Sequence, residues 1–529
     1  MKKIILSLCL IVWLSVGFAQ VKSTSYSGSI DGYSLSWGYN TGKLIVHNVV
    51  TGIDELYIIE ISPDGTFHTN FPLRAPKECY ITFPLFSGYV YFEPGDHVIQ
   101  QFDVSDAAQV SSSFLGDQKT VNNGLYKARD VIRLDWDEIY AAVLNMEPGP
   151  YKAYFKAMEN QALKQLGHFS DEGILNEKAY RLASNTVRYD IASQLMQYNW
   201  NREYAYRKIN KISFNSRARE REEVKLEMSY YDFLNDINYN DPENLKSGYY
   251  GVFLNRIKFL DVIYDKADVH DLSVEIKHLE AQDTLSKDWE ERLRFLKDAV
   301  KNNRKITTPG SFEKARVIVL ANLIDKDISL ELELMEIQDI CQNMDLNKMP
   351  LSDSTMAGIK SKINNDFLLD YVQDLNNSLQ EVIAKNTKQT GYVNNPTPDS
   401  DSDSLFNSII SKYKGKVVFV DFWATWCSPC LAGIKEMASM KEDLQNEEII
   451  FLYITNDSSP INAYNILIPG IKGEHYRLSN DEFNRLSAQF SIVGIPHYSL
   501  VNRDGHVVDK NYKWQNAEQV KNTLLELMK

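Results

Sequence analysis

The stretch from Val417 to Cys430 constrains the fold of this chain more than any other segment. It begins with β-branched and aromatic residues, which is the composition of a buried strand. The run ends at Ala424-Thr425-Trp426, and a Cys-X-X-Cys sequence follows with a proline just inside a predicted helix. Apolar residues then recur at helical spacing. The order of strand, tight turn, cysteine pair and helix predicts an α/β unit around this stretch.

The two cysteines, Cys427 and Cys430, are spaced so that both lie on the first turn of that helix. Two thiols in this arrangement can close a disulfide. The backbone N–H groups and the dipole at a helix N-terminus favour a thiolate on the first of them. A Cys-X-X-Cys sequence can also be half of a zinc site, but two further ligands at suitable spacing are not evident in the sequence. We therefore favour a redox-active pair and expect no cofactor and no metal.

The first residues have the composition of an export signal. Lys2 and Lys3 precede the apolar run from Ile4 to Val16, and a small residue, Ala19, closes the segment. Residues 1–19 are therefore predicted to be a cleaved signal peptide. The run is short for a membrane span, and a retained N-terminal anchor is the alternative. We expect an exported protein of the periplasm or cell envelope.

Composition narrows the class of protein further. The net charge of -14, without a basic block to offset it, argues against a nucleic-acid partner. Apart from the close pair and Cys9 in the predicted signal, the chain has only Cys79 and Cys341, which is too few for a disulfide scaffold. Each is predicted to be a buried small hydrophobe. A disulfide between Cys79 and Cys341 is the alternative.

The length of 529 residues implies several domains. Short alternating segments separated by turns predict an antiparallel β-sandwich over residues 20–115. The hydrophobic period then becomes helical and predicts an all-α domain over residues 116–385. Residues 386–404 are polar and contain prolines, which predicts an irregular linker. The remaining residues, 405–529, form the predicted α/β domain.

Two motifs in this last domain resemble those of the thioredoxin superfamily. The sequence from Val420 to Cys430, VDFWATWCSPC, resembles the thioredoxin active-site sequence. Gly494-Ile495-Pro496 lies between an amphipathic helix and a predicted hairpin, and it resembles the cis-proline loop that faces the dithiol in that family. With the export signal and the extra segment between the motifs, the C-terminal quarter resembles the TlpA/ResA-like branch of exported thiol-disulfide oxidoreductases. The whole layout resembles large multidomain members from Bacteroidetes-type bacteria.

The resemblance implies a role for each residue of the first motif. Cys427 is expected to be the exposed nucleophile, and Cys430 is expected to resolve the mixed disulfide from a more buried position. Ser428 occupies the position that tunes the redox potential in this family. Pro429 is expected to hold the turn.

The resemblance also implies a surface that binds the substrate. Trp426 is expected to shield the dithiol. A cis peptide bond at Pro496 would let the backbone of Ile495 pair with the substrate chain as a short added strand. His497, which follows where Thr is common, could modulate the site, and a plain partly exposed histidine is the alternative.

Asp421 is an acid within a strand that we predict to be buried, which costs free energy unless the group is neutral or paired. We expect it to take the proton of Cys430 during resolution, and a purely structural role is the alternative. TlpA/ResA-type sequences commonly have Asn at this strand position and a Glu and a Pro on the helix, where this chain has Gly433 and Lys435. The carboxylate is thus expected to come from the strand, as in thioredoxins proper.

These features predict an exported thiol-disulfide oxidoreductase that reduces protein disulfides through Cys427 and Cys430. Its partners would be disulfide-containing client proteins and a membrane-embedded thiol donor of electrons. A net thiol oxidase and a thiol peroxidase-like antioxidant are the alternatives among enzymes. From another class, the alternative is an envelope binding protein in which the thioredoxin domain is accessory.

Overall fold

The structure is a computed structural model that describes residues 21–37, 39–84, 86–104, 110–213, 220–239, 241–268, 272–282, 293–294, 296–297, 300, 310–399, 404–514 and 516–529. The predicted signal peptide lies outside these residues. A β-rich region, a helical region and an α/β region follow one another along the chain. The predicted multidomain fold class is confirmed. Within the described residues, no helix is long and apolar enough to cross a membrane.

Eight strands of the N-terminal region form one hydrogen-bonded sheet in the order β6-β5-β2-β3-β4-β1-β7-β8. Their bounds are β1 Lys22–Asp31, β2 Thr41–Asn48, β3 Ile53–Ile61, β4 Thr66–Leu73, β5 Lys77–Phe83, β6 Phe86–Phe92, β7 His97–Asp103 and β8 Ser111–Gly116. Neighbouring strands are antiparallel except β1 and β7, which are parallel. The sheet folds over one apolar core, because Phe86 of the edge strand β6 meets Phe102 of β7 with ring centroids 5.2 Å apart.

The central region is helical and shares one extended apolar core. Its helices are α1 Lys119–Lys127, α2 Arg129–Ile132, α3 Trp136–Asn145, α4 Pro148–Asp171, α5 Glu177–Met196, α6 Tyr198–Asn210, α7 Tyr250–Lys258, α8 Asp261–Tyr264, α9 Leu272–Glu280, α10 Ser311–Leu323, α11 Ser329–Asn347, α12 Asp353–Lys360 and α13 Asp366–Asn386. Short 3-10 helices span Leu35–Trp37 in the preceding region and Met228–Asp236 and Pro242–Lys246 here.

Buried polar side chains join the helical region to the N-terminal sheet. The Asn122 amide of α1 accepts from the backbone N–H of Tyr91 at 2.8 Å and donates to the carbonyl of the same residue at 3.0 Å. Gln338 of α11 donates to the carbonyl of Val49 at 2.7 Å. Because these backbone groups would otherwise be buried without a partner, the bonds favour one relative placement of sheet and helices.

Cys79 and Cys341 lie in different cores, one within the N-terminal sheet and the other within the helical region. Both are fully buried and neither is bonded to another cysteine of the described chain. Burial raises the pKa of each thiol to about 12. The prediction of two buried, hydrophobic cysteines is confirmed, and the alternative disulfide between them is wrong.

The C-terminal region is a six-stranded sheet, ordered β14-β13-β10-β11-β12-β9, with helices on both faces. Its strands are β9 Tyr392–Asn395, β10 Val417–Phe422, β11 Ile449–Asn456, β12 Gly473–Leu478, β13 His497–Val501 and β14 Val507–Tyr512. Its helices are α14 Leu405–Ser411, α15 Ser428–Glu436, α16 Ala438–Asp443, α17 Ile461–Leu467, α18 Asn480–Phe490 and α19 Ala517–Leu527, with a 3-10 turn at Ile468–Gly470. Every residue of β10 is buried, as its apolar composition predicts for an inner strand.

The structure differs from the predicted irregular linker over residues 386–404. Asn386 ends α13, and Tyr392–Asn395 then pair in parallel with β12 as the edge strand β9. Tyr392 packs against the apolar core, and the Asn395 amide donates to Glu474 at 2.8 Å. Only two of these four residues, Tyr392 and Val393, favour a strand, and two residues are too few to predict one, so the unpaired edge of β12 explains why the segment forms a strand.

The first two regions both contact the C-terminal domain. Helices α11 and α13 pack against α17, and the Asn386 amide donates to the carbonyl of Ile466 at 2.9 Å. On the other side, α15 packs against β3 of the N-terminal sheet. The start of α15, where the cysteine pair lies, is therefore next to the N-terminal region.

Substituting Gly28 with Ala tests the pairing of β1 with its neighbours. A Cβ at Gly28 would lie 1.7 Å from the Gln100 carbonyl oxygen of β7 and 2.5 Å from the Phe67 ring. We expect Gly28→Ala to lower the free energy of unfolding by about 3 kcal/mol, because backbone on one side and a packed ring on the other must shift. Urea denaturation measures the change. Gly149→Ala, where a Cβ meets nothing within 4 Å, is the control, and equal midpoints for the two variants would contradict the prediction.

Candidate active site

The cysteine pair lies at the start of helix α15, just after the central strand β10. Cys427 is the N-cap of α15, with Pro429 in the first turn. Its sulfur accepts the backbone N–H of Cys430 at 3.2 Å. Cys427 and Cys430 form a disulfide with their Cα atoms 5.2 Å apart. In the reduced state this N–H and the helix dipole would stabilise a thiolate on Cys427.

Cys427 is less exposed than predicted. Its exposed fraction is 4%, against 0% for Cys430, so the order of exposure is as expected but the nucleophile is not an open surface residue. The disulfide holds the Cys427 sulfur toward the fully buried Cys430. The tuning role of Ser428 stays a prediction.

Hydrogen bonds fix the turn that presents the dithiol. The indole N–H of Trp426 donates to the carbonyl of Ser458 at 3.0 Å, while 49% of this residue stays exposed. The backbone N–H of Thr425 donates to Ser459 Oγ at 3.0 Å, and that hydroxyl pairs with Thr455 Oγ1 at 2.7 Å. Sequence reasoning missed both serines. The indication in the sequence was the polar segment that follows β11, the strand parallel to β10.

The second motif lies beside the first, as the resemblance implies. The Ile495–Pro496 bond is cis. His497 is paired in register with Phe422, the last residue of β10, so the proline loop meets the dithiol end of that strand. The His497 ring contacts the carbonyl of Lys510 through Nε2 at 2.7 Å, and burial lowers its pKa. His497 is buried and holds β14, which corrects the alternative of a partly exposed histidine.

Asp421, the penultimate residue of β10, is wholly buried between Tyr453 of β11 and Tyr498 of β13. Side chains two residues apart share a face of a strand, and Trp423 packs in the same core as Cys430. Asp421 therefore lies on the face of the sheet that carries the dithiol. Neither carboxylate oxygen accepts a hydrogen bond from the described residues. Burial raises the pKa of Asp421 to about 8, and the charge of Lys441 opposes the rise.

Lys441 is a buried cation that sequence reasoning did not single out. It projects from α16, and its Nζ donates to the Tyr453 hydroxyl at 2.8 Å and to the carbonyl of Lys472. Burial lowers the pKa of Lys441 to about 8, and the Asp421 charge opposes that shift. The only signal was a lysine directly after the buried Met440, and most such lysines reach solvent.

Gly433 explains why the helix of this chain carries no carboxylate where TlpA/ResA-type sequences have Glu. A Cβ at Gly433 would lie 2.6 Å from the Trp514 ring and 3.0 Å from the Tyr498 hydroxyl. The space of a longer side chain is thus already filled by two aromatic residues. Lys435, the second departure, is exposed. Gly433 thus lies against Tyr498, the register partner of Asp421 on β13.

Comparison with known proteins agrees with this geometry. Residues 415–507 match a family model described as thioredoxin-like. The C-terminal region is a thioredoxin-like domain. The thioredoxin fold predicted there is confirmed.

Two curated relatives are similar to part of the chain. The thiol-disulfide oxidoreductase ResA of Bacillus anthracis is 25% identical over 114 residues, which are 22% of this chain and 65% of that protein. The thiol:disulfide interchange protein HelX of Rhodobacter capsulatus is 25% identical over 96 residues, 18% of this chain and 52% of that protein. The chain spans about 65% of the length of the ResA relatives it matches.

Two solved structures are also similar. The thioredoxin domain of a thiol-disulfide oxidoreductase from Bacteroides vulgatus is 22% identical, with a TM-score of 0.20, and the match covers 22% of this chain and 83% of that one. A thiol:disulfide interchange protein of the thioredoxin family from Chlorobium tepidum is 20% identical, with a TM-score of 0.21, covering 22% and 84%.

Asp421→Asn should change how stability depends on pH. The folded-state pKa of Asp421, about 8, lies above the ordinary aspartate value of 3.8, so between these values the folded chain binds the extra proton and stability falls as pH rises. Asparagine does not titrate, so the variant should not lose stability in this way as pH rises. From pH 5 to pH 7 we expect the variant to gain about 2 kcal/mol on the wild type in urea unfolding of the oxidised protein. Exposed Asp504→Asn is the control, and parallel pH profiles for the wild type and Asp421→Asn would contradict the argument.

Gly433→Ala should destabilise the C-terminal domain by about 2 kcal/mol, because its methyl group overlaps the Trp514 ring. Gly358→Ala, an exposed helical position where a Cβ meets nothing within 4 Å, should instead be neutral or slightly stabilising. A double variant, Gly433→Ala with Trp514→Ala, should cost less than the sum of the single changes. Thermal unfolding of the wild type, Gly433→Ala, Gly358→Ala, Trp514→Ala and the double variant checks this. Additive effects would mean that Trp514 does not limit the space.

Proposed function

We propose that this protein is an exported thiol-disulfide oxidoreductase that reduces disulfides of client proteins. The observation that carries the proposal is the Cys427–Cys430 disulfide at a helix N-terminus, beside a cis-proline loop and on the face of the sheet that buries Asp421. The names of the ResA and HelX relatives support the same chemistry. The export signal predicted over residues 1–19 supports a place in the periplasm or cell envelope.

The reaction begins from the reduced dithiol. The Cys427 thiolate attacks one sulfur of the client disulfide, which breaks that bond, forms a mixed disulfide and releases a client thiolate. Cys430 then attacks the Cys427 sulfur, forms the internal disulfide and releases the second client thiolate. Two electrons pass to the client. A membrane thiol donor would return two electrons to Cys427 and Cys430, which makes the cycle complete.

Asp421 would accept the proton that Cys430 loses before it attacks. A thiol has an ordinary pKa near 8.5, and burial raises the pKa of Asp421 to about 8. Two groups with similar pKa values exchange a proton at little cost, so Asp421 can accept the Cys430 proton in those molecules in which it is ionised, and this fraction grows as pH rises toward 8. An ordinary exposed carboxylate would be a much weaker base.

Exposed apolar side chains around the dithiol support a protein as substrate. Val493, just before the cis-proline motif, is fully exposed, and Trp426 and Ile461 are each 49% exposed. Apolar groups gathered at one place on a surface favour a partner that covers them. The backbone of Ile495, next to the cis bond, is available to pair with an extended client segment.

The proposal predicts that the reduced protein cleaves insulin disulfides and that Cys427→Ser abolishes this activity. Cys430→Ser should instead accumulate a mixed disulfide on Cys427, visible by mass spectrometry and released by dithiothreitol. Cys341→Ala, a cysteine far along the chain in the helical core, is the matched control and should retain turnover. Turnover by Cys427→Ser at the wild-type rate would refute the mechanism.

The redox potential of the same protein separates a reductant from an oxidant. A reductant should have a midpoint near the thioredoxin value of about −270 mV, and an oxidant one nearer −120 mV. Turnover of hydrogen peroxide would indicate the peroxidase alternative.

A further inference from the structure

The N-terminal sheet presents an apolar surface to the active site. Ile58 of β3 pairs in register with Lys43 of β2, so their side chains share one face of the sheet. The alternate residues, Leu44 and Ile59, are fully buried in the core of the sheet. Lys43, Leu56 and Ile58 therefore point away from that core, and the two apolar side chains remain only half-buried.

This surface faces the dithiol loop across an open cleft of about 260 Å³. On the opposite side lie Pro429, between the two cysteines, and Pro496, the cis-proline. Helix α15 packs against β3 beside the cleft and fixes the separation of the two walls. A client segment that reaches Cys427 past the cis-proline loop therefore passes close to Leu56 and Ile58.

We propose that the outward face of β2 and β3 is a second wall of the client site and selects polypeptide segments that carry an apolar side chain next to the disulfide cysteine. The inference rests on the proposed function and adds the specificity of the same site. The covalent steps are those of the proposed function, and the wall contributes contacts only.

The dimensions of the cleft favour a side chain over a small-molecule ligand. Its volume of about 260 Å³ is below the roughly 300–1,000 Å³ of typical small-molecule pockets. Leu56 and Ile58 would lose their remaining exposure to water when an apolar side chain enters.

Several polar side chains line the cleft: Lys43, Asn511 and Lys513 are exposed to solvent, and the half-buried Glu436 is compatible with an apolar occupant. Glu436 of α15 lines the cleft, and burial, together with the charge of Glu60 on β3, raises the pKa of Glu436 to about 7. The carboxyl group is therefore partly neutral near pH 7. Its desolvation costs less in that state than that of a full charge would.

The wall leaves the exposed apolar residues near the dithiol accessible to a client protein. Trp426, next to Cys427 in the chain, and Val493, shortly before the cis-proline, stay exposed, while Leu56 and Ile58 line the cleft. A client chain can therefore contact both the exposed apolar residues and the wall. A sheet that acted only as a cover would have to hide the exposed residues.

The test compares an extended polypeptide with a small disulfide in the full-length reduced protein. Tryptophan fluorescence in stopped flow gives second-order rate constants for insulin and for hydroxyethyl disulfide. We expect Leu56→Ala with Ile58→Ala to lower the ratio of the two rate constants about tenfold, because only insulin reaches the wall. Ile58→Ala alone should lower it by a smaller factor. Leu115→Ala, an exposed apolar residue of β8 in the same sheet, should leave the ratio unchanged.

The possible outcomes distinguish failure of the wall proposal from failure of the proposed function. An unchanged ratio in both wall variants, with insulin still reduced by the wild type, would overturn the wall and leave the proposed function standing. A higher rate with insulin in the double variant would also overturn it, because the sheet would then be a cover. If the wild type reacts with hydroxyethyl disulfide but not with insulin, the proposed function fails and the wall fails with it. The reaction with the small disulfide also reports that each variant is folded.

Discussion

The burial of one carboxyl group in the central strand is the constraint on which the active site depends. Asp421 lies in a strand whose every residue is buried, and both its oxygens lack hydrogen-bond donors among the described residues. An acid in such a place is tolerated only when it is neutral or faces a cation. The domain provides both conditions, because burial raises the pKa of Asp421 and Lys441 brings a buried positive charge to the same side of the sheet. The buried acid lowers stability, and its proposed role as the proton acceptor of Cys430 gives a functional reason for this cost.

The position of β10 between a parallel and an antiparallel neighbour then determines what surrounds the dithiol. Strand β11 runs in the same direction, so its carboxyl end brings Ser458 and Ser459 to the turn before Cys427. Strand β13 runs the opposite way, so its beginning brings Pro496 to the same end of β10. Groups far apart in the chain meet because the strands are ordered in this way, and the helix N-terminus completes the site.

Local sequence patterns predicted the parts of the site that depend on local structure. The buried strand, the cysteine pair at a helix start and the acid at Asp421 each leave a pattern within a few residues, whereas the cis bond at Pro496 is implied by the resemblance of Gly494-Ile495-Pro496 to the thioredoxin loop. Lys441, Ser459 and strand β9 leave none, since each depends on what another part of the chain places beside it. The same holds for Ile58: its alternation predicts a strand but not that its outer face lies across a cleft from the dithiol loop.

The edge strand β9 has a consequence for how the redox domain can be separated from the rest of the chain. A fragment that starts at the predicted boundary, residue 405, would lack Tyr392–Asn395 and leave the backbone of β12 unpaired along one side. An open edge of this kind is a template for pairing with another molecule. Cleavage between β9 and α14 would therefore detach the strand that covers this edge, and the fragment is expected to self-associate although its cysteines and cis-proline would be intact.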